Sequence, residues 1–134
     1  MSDKVEVYDS TLRDGAQAEG IAYSLDDKLL IACRLDSLGI DYIEGGWPNP
    51  TNPKDLAFFE EVKKHRLKAQ VTAFGSTRRA GTPAAEDATL DTLLKAETEN
   101  VCVFGKSWKL HVTEVLKTSV EDNLALIEDS VAYL

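Results

Sequence analysis

The sequence predicts an α/β fold of repeated strand–helix units. Three observations predict it: strand-like and helix-like patterns alternate four times over 134 residues, the strand centres recur at similar intervals, and a polar or glycine-rich cluster follows each strand. The centres, Val7, Ile43, Val71 and Val103, lie 36, 28 and 32 residues apart. Eight units at that spacing give the ~250 residues of a (β/α)₈ TIM barrel, so four units correspond to half of one. Regular β-α-β order requires a parallel sheet with right-handed crossovers. A flavodoxin-like sheet alternates in the same way, and periodicity alone does not separate the two. No low-complexity tract or long linker divides the chain, and residues 1–134 read as the N-terminal part of a single barrel domain.

The first strand is expected over Val5–Asp9, followed by a loop from Ser10 to Tyr23. Ser24 with Asp27 three residues on is a capping box. The helix behind it carries Leu25, Leu29, Cys33 and Leu38 on a helical period and stops at Gly39. The second strand is Asp41–Gly45. Asn52-Pro53 then gives a cap followed by proline at the first helical position, and His65 falls in the last turn. The third strand is Lys68–Phe74, and a loop from Gly75 to Ala85 leads to a helix around Leu90, Leu93 and Leu94. The fourth strand is Val101–Phe104, and a loop at Gly105 leads into Leu110-His111-Val112. A last helix starts from Ser119, with Asp122 three residues later and an apolar stripe of Leu124, Ile127 and Val131. Four strands in an open sheet leave two unpaired edges and one uncovered apolar face. The chain is therefore expected to be truncated or to pair with another copy.

A net charge of -8 argues against a general nucleic-acid or anionic-membrane partner. The start, Met1-Ser2-Asp3-Lys4-Val5, lacks the apolar stretch of a signal peptide, and no apolar run reaches the ~18 residues of a membrane-spanning helix. Cys33 and Cys102 read as reduced core thiols of a cytoplasmic protein. With two cysteines and two histidines, a structural zinc site is not expected.

In α/β folds, ligands bind at the carboxyl ends of the strands. Four clusters fall there: Asp9-Ser10-Thr11-Leu12-Arg13-Asp14-Gly15-Ala16-Gln17, Glu44-Gly45-Gly46-Trp47-Pro48, Phe74-Gly75-Ser76-Thr77-Arg78-Arg79 and Phe104-Gly105-Lys106-Ser107-Trp108. Arg13-Asp14 is the most informative pair. A carboxylate at a barrel mouth suits a hard divalent ion such as Mg²⁺ or Mn²⁺. An adjacent guanidinium can hold an oxyanion, so the two together could polarise a ketone and stabilise an alkoxide. The competing reading is an ordinary surface ion pair, which spacing alone favours.

The run Asp9 to Gln17 resembles the D-x-T-L-R-D-G-x-Q signature of the 2-isopropylmalate synthase superfamily. That group includes homocitrate and citramalate synthases, hydroxymethylglutaryl-CoA lyase and related carboxyltransferase domains. Glu19-Gly20-Ile21, Tyr42 to Pro48, Phe74 to Gly81 and Phe104 to Trp108 are similar to the citramalate synthase branch, so the resemblance covers essentially the whole chain.

The resemblance implies an acyltransferase that condenses acetyl-CoA with a 2-oxo acid, pyruvate in the citramalate branch, and converts the acyl group to an alkyl group on transfer. The product would feed isoleucine synthesis. By the same resemblance Asp14 would bind the divalent metal, and Arg13 would hold the ketone oxygen. Gln17 would lie in or beside the acceptor pocket, and Glu44 would orient Arg13 or a metal-bound water. Arg78 and Arg79 would meet the acceptor carboxylate or the CoA phosphates, with a solvated loop pair as the equal alternative. Lys106 and Lys109 are similar by loop position. His111 is either a substrate-pocket residue or structural. Trp47 and Trp108 either wall the pocket or pack. The parent enzyme would be a homodimer. The family's H-x-H metal pair does not occur in these residues, nor does the glutamate expected after the fifth strand, so little or no turnover is expected from this segment alone. A 2-isopropylmalate or homocitrate synthase, a lyase or aldolase of the same superfamily, and a non-catalytic, self-associating half-barrel are the alternatives.

Overall fold

The structure, a computed structural model, describes residues 4–134; Met1, Ser2 and Asp3, where the sequence lacks a leader pattern, lie outside them. Four strands, β1 (Tyr8–Asp9), β2 (Tyr42–Gly46), β3 (Gln70–Ser76) and β4 (Asn100–Phe104), form one sheet in the order β1-β2-β3-β4. All three pairings are parallel. Four helices, α1 (Leu25–Ser37), α2 (Pro53–Val62), α3 (Ala88–Lys95) and α4 (Val120–Tyr133), each follow a strand. Sequential strand order with every crossover on one face is the arrangement of the first four βα units of a (β/α)₈ barrel. In a flavodoxin-like sheet the order would reverse at a switch point, which does not happen here.

The helix starts follow their sequence signals. Ser24 Oγ accepts the Asp27 N–H while Asp27 reaches back to the Ser24 N–H, a complete capping box. Asn52 caps α2 with Pro53 at the first position, and Ser119 caps α4 through the Asp122 N–H. Gly39 ends α1 with φ at +82°, a conformation that favours glycine. Asp87, two residues past the loop expected over Gly75–Ala85 and not singled out as a cap there, caps α3 through the Thr89 and Leu90 N–H groups.

The alternation along the strands divides the side chains. Ile43 and Ala73 join Ala32, Phe58, Phe59 and Leu93 in a core between sheet and helices. Tyr8, Tyr42, Glu44 and Phe74 occupy the opposite face, where the Tyr8 and Tyr42 rings stack at 6.1 Å. Gly45 is the point of closest helix approach: a Cβ there would stand 2.5 Å from Phe58 Cε1 and 2.9 Å from Phe59 Cε1.

Several boundaries move. The β1 ladder is only Tyr8–Asp9; the Val7 N–H donates to the Asp41 carboxylate at 2.9 Å, and Val5 and Val7 are 81% and 48% exposed. Val7 still contributes its carbonyl, which accepts the Tyr42 and Asp41 N–H groups. Strand β3 begins two residues later than its pattern and runs on to Ser76. The stretch from Leu110 forms a π-helical turn, His111–Val115. Both cysteines are free and half-buried, and Cys33 Sγ lies 3.5 Å from His65 Nδ1.

Candidate active site

The loop after β1 explains how one short motif aims its charges. Asp9 accepts the Thr11 N–H and the Thr11 hydroxyl, an Asx turn. The N–H groups of Arg13, Asp14 and Gly15 all donate to the Ser10 carbonyl, curling the chain tightly. Leu12 plugs into the core at 1% exposure, so its neighbour Arg13 is thrown to the other side, across the strand ends.

There Arg13 meets three partners. Its Nε donates to Glu44 Oε2 at 2.8 Å and its Nη1 to Asp14 Oδ1 at 2.9 Å. The guanidinium carbon lies 4.1 Å from the centroid of Phe74, a cation–π seat. Glu44, the middle residue of β2, has its side chain 2% exposed, and its second oxygen accepts the Tyr8 hydroxyl at 2.9 Å. Burial first, and the Glu44 carboxylate second, push the Tyr8 phenol above its ordinary range, so it stays a donor. Asp14, by contrast, is 67% exposed at the mouth. The arrangement is a Tyr–Glu–Arg relay through the buried Glu44 carboxylate that ends in the exposed carboxylate of Asp14.

Two clefts flank Arg13. The smaller, about 370 Å³, contains Gln17, Tyr23, Lys28, Trp47 and Asn52. Beneath it Lys28 and Asp55 form a buried ion pair at 2.5 Å. Burial lowers the Lys28 ammonium pKa, while Asp55 opposes that shift. Asp55 also accepts the Trp47 backbone N–H at 2.8 Å, and the Trp47 indole packs edge-on against Phe74 with ring centroids 5.4 Å apart. The larger cleft, about 680 Å³, is walled by Trp47, Phe74, Phe104, Leu116 and Leu126 and carries Arg13, Arg78, Arg79 and Lys106.

The structure thus gathers Arg13, Asp14 and Glu44 into direct contact and sets Gln17 in one adjoining cleft and Arg78 and Arg79 in the other. Arg78 is held by Asp129 and the Thr82 carbonyl. His111 lies apart: its ring packs on Trp108 at 4.6 Å and lines neither cleft. Trp108 is 59% exposed, whereas Trp47 walls both clefts. Sequence reasoning missed Tyr8, whose parity opposite to Val7 was the available signal. It also missed the Lys28–Asp55 pair, for which no local signal exists.

For a divalent ion, the described residues offer Asp14 as an oxygen donor, with Oδ1 already shared with Arg13. No three His, Cys, Asp or Glu residues cluster closely enough among the described residues to hold an ion. Asp14 therefore fits as one ligand of a set and not as a site by itself.

Sequentially ordered parallel strands with a polar cluster at their carboxyl ends are the arrangement of the first βα units of a (β/α)₈ barrel. The chain belongs to the HMGL-like family, whose profile matches residues 4–134. It is 56% identical to (R)-citramalate synthase of Aquifex aeolicus over 100% of this chain and 25% of the relative. It is 57% identical to (R)-citramalate synthase of Sulfolobus acidocaldarius over 97% of this chain and 25% of the relative. The chain thus spans about a quarter of the length of these curated relatives. The crystal structure of HMG-CoA lyase from Bacillus subtilis superposes with a TM-score of 0.70, covering 96% of this chain and 42% of that one, at 18% identity. That likeness is one of fold. No helix of the described residues is long and apolar enough to cross a membrane.

Proposed function

We propose that this chain forms the first half of the catalytic barrel of an (R)-citramalate synthase, an acyltransferase that joins acetyl-CoA to pyruvate. The observation that carries the reading is the Arg13 guanidinium, seated on Phe74 and oriented by buried Glu44, beside the exposed Asp14. Two of the five N–H donors of Arg13 are engaged by Glu44 and Asp14, which leaves three for an incoming oxygen. Arg13 binds the ketone oxygen of the 2-oxo acid and stabilises the negative charge that grows there as the new carbon–carbon bond forms. Glu44 keeps the guanidinium plane fixed, so no reorientation is needed during the reaction. Tyr8 holds Glu44, and the Trp47–Phe74 wall excludes water from one side of the carbonyl. Asp14 and Glu44 are the carboxylates in contact with Arg13, and Gln17 lines the adjoining cleft. A bound Mg²⁺ or Mn²⁺, with Asp14 as one ligand, would add Lewis-acid polarisation of the same ketone.

The test is release of CoA from acetyl-CoA, dependent on pyruvate and on Mg²⁺ or Mn²⁺. A polypeptide carrying this sequence within a full barrel turns over, and its Arg13→Lys form loses at least two orders of magnitude in kcat, the scale of one lost oxyanion donor. The 134 residues alone give background only. Robust turnover by this segment alone would show that the catalytic centre has been misplaced.

A second, non-catalytic reading draws on the exposed edge residues Val5 and Val7, at 81% and 48%, and on Phe104 at 49%. In it the half-barrel associates through its open sheet edges. Sedimentation as a well-folded monomer would dismiss that reading.

A further inference from the structure

Cys33 and His65 meet far from the strand-end clusters. Cys33 sits in the C-terminal half of α1, and His65 closes the short turn Lys63–His65 that leads from α2 toward β3. Helix-to-strand turns stand at the amino ends of barrel strands, so the pair is on the rim opposite Arg13. The Cys33 sulfur is 3.5 Å from His65 Nδ1, across 32 residues of sequence. The thiol is half-buried and the histidine is exposed, so a small molecule reaches the pair from solvent.

Two donors do not make a metal centre, and no third His, Cys, Asp or Glu joins them among the described residues. A thiol against an imidazole is instead the arrangement of a nucleophile and its base. With the ring proton on Nε2, Nδ1 accepts the thiol proton and leaves the thiolate, which is the reactive form. Acyl chemistry would also require hydrogen-bond donors for an oxyanion. Cys33 lies inside α1, where the neighbouring backbone N–H groups are taken by helix hydrogen bonds. Exchange with a disulfide needs no such donors, because the charge passes from sulfur to sulfur.

The charge around the pair selects among disulfides. His65 is set in the basic run Lys63-Lys64-His65-Arg66-Leu67-Lys68, and Arg34 follows Cys33. Lys63 is matched by Glu97 and Lys64 by Glu61, while the Asp36 carboxylate accepts the Lys68 and Ala69 N–H groups. Arg34, Arg66 and Lys68 are exposed and, among the described residues, have no carboxylate in salt-bridge contact. In a chain of net charge -8 this local excess of cations favours an anionic reagent.

We propose that Cys33, with His65 as its base, is a thiol-exchange site for anionic low-molecular-weight disulfides. His65 Nδ1 takes the Cys33 proton, and the thiolate attacks one sulfur of the incoming disulfide. A bond forms between Cys33 and that sulfur as the original S–S bond breaks. The second sulfur leaves as a thiolate and takes the proton back from His65. Cys33 is oxidised to a mixed disulfide and the leaving half is reduced to a thiol, so no further oxidant enters. The site rests on no part of the synthase reading.

The test exposes the 134-residue chain to dithiobis-nitrobenzoate, a dianionic disulfide, and in parallel to cystamine, a dicationic one. Quenched samples are mapped by peptide mass, which separates Cys33 from Cys102, and each rate is divided by that of the urea-unfolded chain with the same reagent. Cys33 is expected to exchange with the anionic reagent about tenfold faster than in His65→Ala, and added imidazole restores part of the loss. The Cys102 rate stays unchanged in that variant, which reports an intact fold. Arg34→Gln combined with Arg66→Gln slows the anionic reagent several-fold and leaves cystamine unaffected. Equal Cys33 rates with and without His65, a loss that imidazole does not rescue, or a larger normalised rate for cystamine than for the anionic reagent each overturns the proposal.

Discussion

Replacing Glu44 by alanine removes the acceptor shared by Arg13 and Tyr8, and the cost follows from what is left behind. The Arg13 Nε bond is charge-assisted, a class worth about 1.5–3 kcal/mol, and the Tyr8 bond adds about 1 kcal/mol. Arg13 keeps Asp14 and is 20% exposed, so water relieves part of its lost pairing. Removing one partner of a buried pair costs about 3–5 kcal/mol, and Glu44→Ala is expected near the lower end, about 3 kcal/mol. Arg13→Ala is expected to cost more, because the charge left unpaired is then the Glu44 carboxylate, only 2% exposed, and the Phe74 seat is also vacated. Glu44→Gln keeps an acceptor for Arg13 and loses about 1–2 kcal/mol. Urea unfolding followed by tryptophan fluorescence measures all three. A loss below about 1 kcal/mol for Glu44→Ala, or a smaller loss for Arg13→Ala than for Glu44→Ala, would refute the relay through buried Glu44.

Tyr8→Phe addresses the alkaline limb. Folding raises the Tyr8 pKa above its ordinary value of 10.0, so at higher pH the unfolded chain releases this proton while the folded one retains it. Stability from this group is therefore full below pH 10 and falls as pH rises beyond it, and the phenylalanine variant shows a shallower decline in denaturant midpoint over that range. Gly45→Ala forces a methyl group to 2.5 Å from Phe58, whose ring is fully buried and cannot yield; a loss of at least about 2–3 kcal/mol by thermal unfolding is expected, and a neutral result would contradict the helix–strand approach. Ser24→Ala removes the α1 cap for about 1 kcal/mol. The same variant weakens the acid dependence that Asp27 contributes. Ser24 holds the Asp27 pKa below its ordinary value of 3.8, so that stability is present above this pH and is lost as pH falls through the lowered folded value.

Local chemistry written in adjacent residues was legible in the sequence. The four βα units, the three helix caps at Ser24, Asn52 and Ser119, and the placement of Arg13-Asp14 at a strand end all depend on neighbours a few positions apart. The functional classes assigned to the strand-end clusters came from the family resemblance and not from spacing, which by itself favoured a surface pair at Arg13. Edge effects were not legible: nothing in Val5-Glu6-Val7 states that only Tyr8 and Asp9 would find a ladder partner.

The tertiary structure decided the long-range polar contacts. Tyr8 and Glu44 are 36 residues apart, Arg13 and Glu44 31, Lys28 and Asp55 27, and Arg78 and Asp129 51. Periodicity fixes which face of an element a side chain takes, because it follows from backbone geometry over a few residues. Which distant group it then meets depends on strand register and helix docking, and these are set by packing across the whole sheet. That is why Arg13 could be singled out from its motif, while its orientation by a buried carboxylate and a tyrosine emerged only once the strands were side by side.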